Sequence, residues 1–279
     1  MNIAVFSKSI CPISEKLIES LNANGVTIQA VIIEKKFRKK LTPNELKFKQ
    51  VHQTFHQRHK RNSFIKKTSK AIRESLRLSL QAKLFKESHR IPVIKNQTIH
   101  YFCRKRNIPA HFTDRHSSEF TRQLLDRKKI DYVVLGSSNW LIKENILNDV
   151  SFKIINAHPG YLPKHRGLDS NLWAIQDGDP VGVTTYIVDK GLDTGPILKF
   201  FELDLNTISN LNEYFSEISK LKNQAVIDTI QGLKDQTIKP HPQKEKYKAH
   251  EPMSLEQIKK TEALIEAKNQ PSSYDNSPS

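Results

Sequence analysis

The chain has 279 residues, of which 37% are apolar, so it is long enough to bury a full hydrophobic core without disulfide support. Cys11 and Cys103 lack the spacing of a metal or redox motif, the N-terminus lacks a signal-peptide pattern, and no run approaches the roughly 18 apolar residues of a membrane span. We therefore expect a cytoplasmic protein, folded as one large domain with an appendage or as two small domains.

The net charge of +16 is concentrated in one segment. Residues 35–106 hold 22 Lys and Arg against 3 acidic residues, whereas the rest of the chain is slightly acidic. Three interpretations stay open: attraction of a substrate's anionic groups, binding to nucleic acid or anionic lipid, and a solvated helical face without a ligand. The apolar residues of this segment have the spacing of a packed helix face, and the segment has few aromatic side chains that could stack on bases. These two features favour the first interpretation slightly.

The predicted elements alternate in type from the start of the chain. A strand at Asn2–Phe6 is followed by a helix with Ser14 as its cap and Gly25 as its stop, and then by a second buried strand, VTIQAVII. A strand, a helix and another strand in this order are typical of a parallel sheet. The basic segment 35–106 is predicted to be a helical insertion.

Five more strands are expected after the insertion: IPAHF, DYVVLG, FKIIN, VGVTTYIV and ILKFFELDL. A helix is expected around SSEFTRQLLDRKK, and the unbroken apolar run of DYVVLG suits a central parallel strand. An amphipathic helix from Leu211 to about Leu233 closes the compact part, and the end NQPSSYDNSPS is predicted to be disordered. The fold class is therefore α/β, with a mostly parallel sheet.

Two polar side chains follow the predicted strand FKIIN, in the stretch NAHPGYLPKHRG. Residues two apart on a strand share a face, so Asn156 and His158 should project together at the strand's carboxyl end, where open parallel sheets bind ligands. Their N–H groups suit an oxygen that gains negative charge during acyl transfer. A loop-capping Asn beside a surface His is the alternative.

A second polar loop follows another predicted strand, in GVTTYIVDKGLDTGPIL. Asp189 and Asp193 are bracketed by Gly191 and Gly195, which let the backbone turn sharply and bring a carboxylate to the end of a second strand. A carboxylate beside a histidine raises the basicity of the imidazole and can accept a proton from an incoming nucleophile. A turn with solvated acids is the alternative.

The stretches NAHPGYLPKHRG and AIQDGDPVGVTTYIVDKGLDTGPIL together resemble the catalytic core of formyltransferases that use 10-formyltetrahydrofolate. These include methionyl-tRNA, glycinamide ribonucleotide and amino-sugar N-formyltransferases. The resemblance is dense from about Asp131 to Leu198, holds in outline from Met1, and is expected to end near Leu205. It implies a folate cosubstrate and a Rossmann-like catalytic domain, which we place at 1–205. A C-terminal helix and extension at 206–245 and a short helix and tail at 246–279 are expected to follow this domain.

By this resemblance, Asn156, His158 and Asp193 correspond to the family's catalytic Asn, His and Asp. A primary amine attacks the formyl carbon, Asn156 and His158 hydrogen-bond the developing oxyanion, and Asp193 holds His158 and helps remove the amine's proton through water. Folate contacts are implied, largely through backbone groups, for Leu141, Ile142, Val188 and Asp189, with core packing as the alternative. A mobile substrate loop is implied for Tyr161, Pro163, Arg166 and Gly167. No metal is expected.

Two departures from the sequence pattern of the family limit the choice of substrate. The stretch SKSICPIS stands where glycinamide enzymes have a glycine-rich phosphate loop, and the 74 residues after Leu205 are too few for the C-terminal barrel of the tRNA enzymes. We therefore predict a small anionic amine substrate, such as a nucleotide-linked amino sugar. A nucleic-acid partner is open but not favoured, and a homodimer is also open.

Two other functions stay open. One is a formyltetrahydrofolate hydrolase, although such enzymes carry a regulatory domain that we do not see before the first strand. The other is a methionyl-tRNA formyltransferase-like or nucleic-acid-binding protein, and the presence of all three candidate catalytic residues argues against an inactive binder.

Overall fold

The computed structural model describes residues 1–35, 98–138, 141–149 and 151–268. Most of the helical insertion predicted for 35–106, and the end of the chain predicted to be disordered, lie outside these ranges. Among the helices within them, none combines the length and the apolar character needed to cross a bilayer.

One mixed sheet of seven strands forms the centre of the molecule. The strands are β1 (Ile3–Lys8), β2 (Ile28–Glu34), β3 (Ala110–Thr113), β4 (Tyr132–Leu135), β5 (Lys153–His158), β6 (Gly182–Ile187) and β7 (Ile197–Glu202). Their spatial order is β3-β2-β1-β4-β5-β6-β7. The first five strands in this order pair in parallel, whereas β6 and β7 are antiparallel to their neighbours. The prediction of an α/β fold with a mostly parallel, Rossmann-like sheet is confirmed.

The helices of the described ranges connect these strands or follow them. They are α1 (Pro12–Ala23), α2 (Ile99–Lys105), α3 (Glu119–Arg127), α4 (Glu144–Leu147), α5 (Ser170–Asp177), α6 (Leu211–Lys234) and α7 (Leu255–Lys268). The expected cap of α1 is wrong: the helix begins before Ser14, with Cys11 at the N-cap position and Pro12 as its first residue. Proline suits that position because its fixed φ is helical and its missing N–H would have had no partner in the helix.

Both faces of the sheet are covered, which explains the unbroken apolar runs of its strands. Ile3 and Val5 of β1 belong to a core cluster that includes residues of α1 and α6. Ala4 and Phe6, which alternate with them, belong to a second cluster that includes residues of α3 and α4. The sheet therefore forms the middle of three layers.

The antiparallel pairing of β5 with β6 places the polar residues of the two strands side by side. In this register, Asn156 is opposite Tyr186 and His158 is opposite Thr184. The loop after β6 then leads to Asp193 before β7 begins. Residues that are distant in sequence thus meet at the carboxyl end of β5, the edge where open parallel sheets bind ligands.

Candidate active site

The structure brings the three predicted catalytic residues into one linked cluster. Asn156 Nδ2 donates a hydrogen bond to the Tyr186 hydroxyl (3.1 Å), and that hydroxyl donates to Asp193 Oδ1 (2.8 Å). The other carboxylate oxygen, Asp193 Oδ2, lies 3.6 Å from His158 Nδ1. His158 and Asp193 are both buried. An amide, an imidazole and a carboxylate are therefore held at fixed separations by their neighbours.

Tyr186 joins Asn156 to Asp193, and sequence reasoning missed it. Burial, together with the negative charge of Asp193, raises the pKa of the Tyr186 phenol well above its ordinary value. The hydroxyl therefore stays protonated, donates to the carboxylate and accepts from the amide. The signal that could have identified it is the pairing with Asn156, which depends on the register between two strands.

The hydrogen bonds of the His158 ring define which nitrogen carries a proton. Its Nε2 lies 2.9 Å from the carbonyl oxygen of His165 and 3.0 Å from Ser170 Oγ, which itself donates to the Pro159 carbonyl. Since a carbonyl oxygen only accepts, Nε2 carries a hydrogen. The atom that faces Asp193 is then Nδ1. A side chain at Gly160 would place its Cβ 2.7 Å from Nε2, so a glycine is needed for the loop to close on the ring.

The backbone conformation of Asp193 is unusual for a residue with a side chain. Its φ is +54°, in the left-handed region, whereas the flanking glycines were expected to provide the sharp turn. Gly195 has a different role, because a Cβ there would lie 1.7 Å from the Ile187 carbonyl oxygen. The Gly167 N–H donates to Asp193 Oδ2 (3.0 Å), which fixes the carboxylate from the opposite loop.

The residues predicted to contact folate lie in two loops that approach one face of the sheet. Ile142 and Val188 pack against the same core cluster, and the Val188 N–H donates to the Ile154 carbonyl (2.7 Å). The Asp189 carboxylate accepts hydrogen bonds from Gly191 N–H and Thr194 Oγ1, so it organises the turn that leads to Asp193. Leu141 differs from the others, since 63% of its surface is exposed. The folate contacts stay a prediction.

The predicted substrate loop is anchored at several points. The Tyr161 ring packs edge-on against the Phe200 ring, with 4.9 Å between their centroids, and Pro163 follows Leu162 through a cis peptide bond. Arg166 was expected to contact substrate or to be solvated. Its guanidinium donates to the carbonyls of Leu192 (2.9 Å) and Tyr247 (2.8 Å), and a contact with substrate stays a prediction. The bond to Leu192 connects the substrate loop to the loop of Asp193, and the bond to Tyr247 connects it to the segment between α6 and α7.

Two further groups near the cluster were not predicted. Lys222 of α6 lies within electrostatic reach of Asp193 and Cys11, and burial lowers the pKa of its ammonium group. Burial alone would raise the pKa of the Cys11 thiol, but hydrogen bonds from Ser137 and Ser14 bring it below its ordinary value. Lys222 therefore interacts electrostatically with both Asp193 and Cys11.

A cluster of possible metal ligands lies beside the substrate loop. His165, Asp177 and Asp179 each place one ligand atom within 4.8 Å of the others. The Lys164 ammonium lies 2.6 Å from Asp179 Oδ2, and His165 Nε2 is at the same distance from that oxygen. Because the lysine already neutralises this carboxylate, we assign no metal to the cluster.

Comparison with known proteins shows which family has this architecture. The family model described as "Formyl transferase" matches residues 1–230. The chain belongs to the formyl transferase family. The match extends beyond Leu205, where the resemblance was expected to end, and includes most of α6. That helix packs against β5, β6 and β7 and so completes one layer of the fold. Formyl transferases use formyltetrahydrofolate, which confirms the predicted cosubstrate at the level of the family.

Curated relatives that match this chain are formyltransferases. The methionyl-tRNA formyltransferase of Thermodesulfovibrio yellowstonii is 33% identical over 114 residues, which are 40% of this chain and 37% of that protein. The methionyl-tRNA formyltransferase of Clostridium tetani is 27% identical over 157 residues, 56% of this chain and 49% of that protein. The chain thus spans less than half the length of these relatives.

Two phosphoribosylglycinamide formyltransferases share the fold. The protein from Anaplasma phagocytophilum superposes with a TM-score of 0.51 at 15% identity, over 90% of this chain and 99% of its own. The protein from Bacillus halodurans has a TM-score of 0.50 at 19% identity, over 85% and 97% of the two chains. Similarity at this level shows the fold alone. The relatives are named for different substrates, so they do not select an amine.

Proposed function

We propose that the protein transfers a formyl group from 10-formyltetrahydrofolate to a primary amine of a small anionic substrate, such as a nucleotide-linked amino sugar. The observation that carries this proposal is the cluster of Asn156, Tyr186, Asp193 and His158 at the carboxyl end of β5. Its donors and its carboxylate match the two needs of the reaction, which are a partner for an oxyanion and an acceptor for a proton. We propose the cytoplasm as its location.

Attack of the amine on the formyl carbon places negative charge on the formyl oxygen. One N–H of the Asn156 amide bonds Tyr186, which leaves the second N–H of that amide for the oxyanion. Because Nε2–H of His158 is bonded to the His165 carbonyl, the ring donates to the same charge from Nδ1, which requires a hydrogen on both ring nitrogens beside the Asp193 carboxylate. Donors that are fixed before the reaction stabilise the transition state without reorganising.

The attacking amine must also lose a proton. The Asp193 carboxylate is the base of the cluster, and it removes this proton through a water molecule. Its oxygens are oriented by the Tyr186 hydroxyl and the Gly167 N–H. As the bond between the formyl carbon and the folate nitrogen breaks, that nitrogen takes up the proton that Asp193 accepted from the amine, and tetrahydrofolate leaves.

Lys222 supports an anionic substrate. Within the described ranges, no hydrogen bond or ion pair with a side chain holds its ammonium, although Asp193 and Cys11 lie close enough to raise its pKa against the effect of burial. A cation beside the amine site would bind a phosphate or carboxylate of the substrate. The basic charge predicted for residues 35–106 would add to this attraction.

The experiment that tests the proposal is a substrate panel. Purified protein and 10-formyltetrahydrofolate are incubated with nucleotide-linked amino sugars, with glycinamide ribonucleotide or with methionyl-tRNA, and formylated products are measured by mass spectrometry. We expect formamide to form on a nucleotide-linked amino sugar. Release of tetrahydrofolate without any amine would indicate the hydrolase instead.

Methionyl-tRNA formyltransferase activity is the second candidate, because the curated relatives that match this chain carry that name. It requires tRNA binding at physiological salt, with an affinity that falls steeply as salt increases, since each neutralised phosphate releases counterions. Formylation of methionyl-tRNA, with no product from the small amines, would replace our proposal with this one.

A further inference from the structure

The segment that joins α6 to α7 crosses both loops of the candidate active site. We call residues 239–253 the strap. Near its start, His241 exchanges two backbone hydrogen bonds of 2.8 Å with Ile197 of β7. At its end, Met253 is fully buried and its N–H donates to Asp169 Oδ2 (2.9 Å). The strap is therefore attached at both ends to the elements that carry the site.

The strap contacts the Asp193 loop through Gln243. The side-chain Nε2 of Gln243 donates to the carbonyl of Asp193 (3.1 Å) and to the carbonyl of Gly195 (2.7 Å). Asp193 has the left-handed φ that residues with a side chain disfavour. The two bonds from Gln243 hold the backbone in this conformation, which directs the carboxylate toward His158.

The strap contacts the substrate loop through His250. The His250 N–H donates to the Arg166 carbonyl (2.8 Å), and the His250 carbonyl accepts from Leu168 N–H (3.1 Å). Gly167 lies between these bonds, and a Cβ there would come within 2.7 Å of the His250 carbonyl oxygen. The same Gly167 donates its N–H to Asp193 Oδ2. Each loop is thus bonded to the strap and to the other loop.

Side chains add to this attachment. The His250 ring lies nearly parallel to those of His165 and Trp173, with its centroid 5.2 Å from each of theirs, and its Nε2 lies 3.1 Å from His165 Nδ1. The backbone carbonyl of His165 is the group that fixes Nε2 of His158. The strap therefore contacts His165, which touches His158, and Gly167, which touches Asp193.

We propose that the strap sets the geometry between His158 and Asp193, with Gln243 as its main positioning residue. The kinetic consequence rests on the proposed function, whereas the structural consequence does not. Without the Gln243 amide, the Asp193 backbone relaxes toward a more favoured φ, and the carboxylate leaves the Gly167 N–H and the His158 ring.

The test is hydrogen exchange of the Gly167 amide, followed by NMR in the protein without substrate. Gln243→Met keeps the length of the side chain and removes both donors. Gln224→Met is the matched control, since Gln224 makes one exposed side-chain bond to Asp228 on α6. We expect Gly167 to exchange roughly tenfold faster in Gln243→Met, the factor that corresponds to one lost hydrogen bond, and to be unchanged in the control. Unchanged exchange in Gln243→Met overturns the proposal.

A kinetic measurement separates positioning from a general loss of structure. In Gln243→Met, kcat for formyl transfer should fall roughly tenfold while KM for the folate stays the same, because the strap holds the catalytic pair. If the wild-type protein shows no formyl transfer, the proposed function fails, yet the exchange result still decides the role of the strap. Should Gln243→Met not fold, the exchange test is made on Gln243→Leu, with the same expected and contradicting results.

Discussion

Tyr186→Phe is the variant that most directly tests the hydrogen-bonded cluster. It removes one oxygen atom, and with it the 2.8 Å bond to Asp193 Oδ1 and the 3.1 Å bond from Asn156. A hydrogen bond to a charged group contributes about 1.5–3 kcal/mol, and about 1.4 kcal/mol changes a rate tenfold. If the bond to Asp193 is needed in the transition state, kcat falls roughly 10- to 100-fold.

The assay compares kcat, KM for the folate and the free energy of unfolding in urea for Tyr186→Phe and wild type. We expect the lower kcat together with a loss of about 1–3 kcal/mol in stability, because the buried partners of the hydroxyl are left without it. Tyr132→Phe is the matched control, since Tyr132 is the first residue of β4 and lies at the amino end of the parallel strands, away from the carboxyl end of β5. If kcat stays within twofold of wild type while stability falls, Tyr186 is only structural and our reasoning is refuted.

Two other predictions concern binding and pH dependence. Lys222→Met should raise KM for the anionic amine without changing KM for the folate. Steady-state kinetics with each substrate varied in turn measures the two values. Equal changes in the two KM values would contradict the role of Lys222 in binding the amine. His116 is buried and its ring stacks on that of Phe6 in β1. Burial holds the pKa of His116 below its ordinary value, so the unfolded chain binds a proton at a higher pH than the folded protein. The contribution of His116 to stability is therefore complete above about pH 6.5 and falls as the pH decreases. Urea unfolding measured from about pH 7.5 to 5 should show a smaller decline in the free energy of unfolding for His116→Gln than for wild type. An identical decline in the two proteins would contradict this.

The central residues of the candidate site could be predicted from local patterns in the sequence. Asn156 and His158 share one face of a strand because alternation along a strand is a local property, and apolar runs identify the neighbouring strands. The position of Asp193 near His158 was suggested by its polar, glycine-rich loop, and the structure places the carboxylate 3.6 Å from the ring. These predictions needed only short-range information and the resemblance to a family.

Long-range pairing determines what could not be predicted. Tyr186 enters the cluster through the register of β5 with β6, and Lys222 through the packing of α6 against the layer that holds Asp193. The left-handed φ occurs at Asp193, although glycine, which stands at positions 191 and 195, adopts this conformation more readily. The bonds of Gln243 come from a segment about fifty residues downstream, in a stretch without regular periodicity.

The measurement that tests the central claim most directly is formyl transfer by His158→Ala. Removal of one group that stabilises an oxyanion lowers kcat by ~10²–10³-fold in comparable sites. We predict a loss of at least ~10²-fold with the amine that wild type formylates, and circular dichroism that shows an intact fold. A His158→Ala protein that is folded and retains near wild-type turnover would contradict the account.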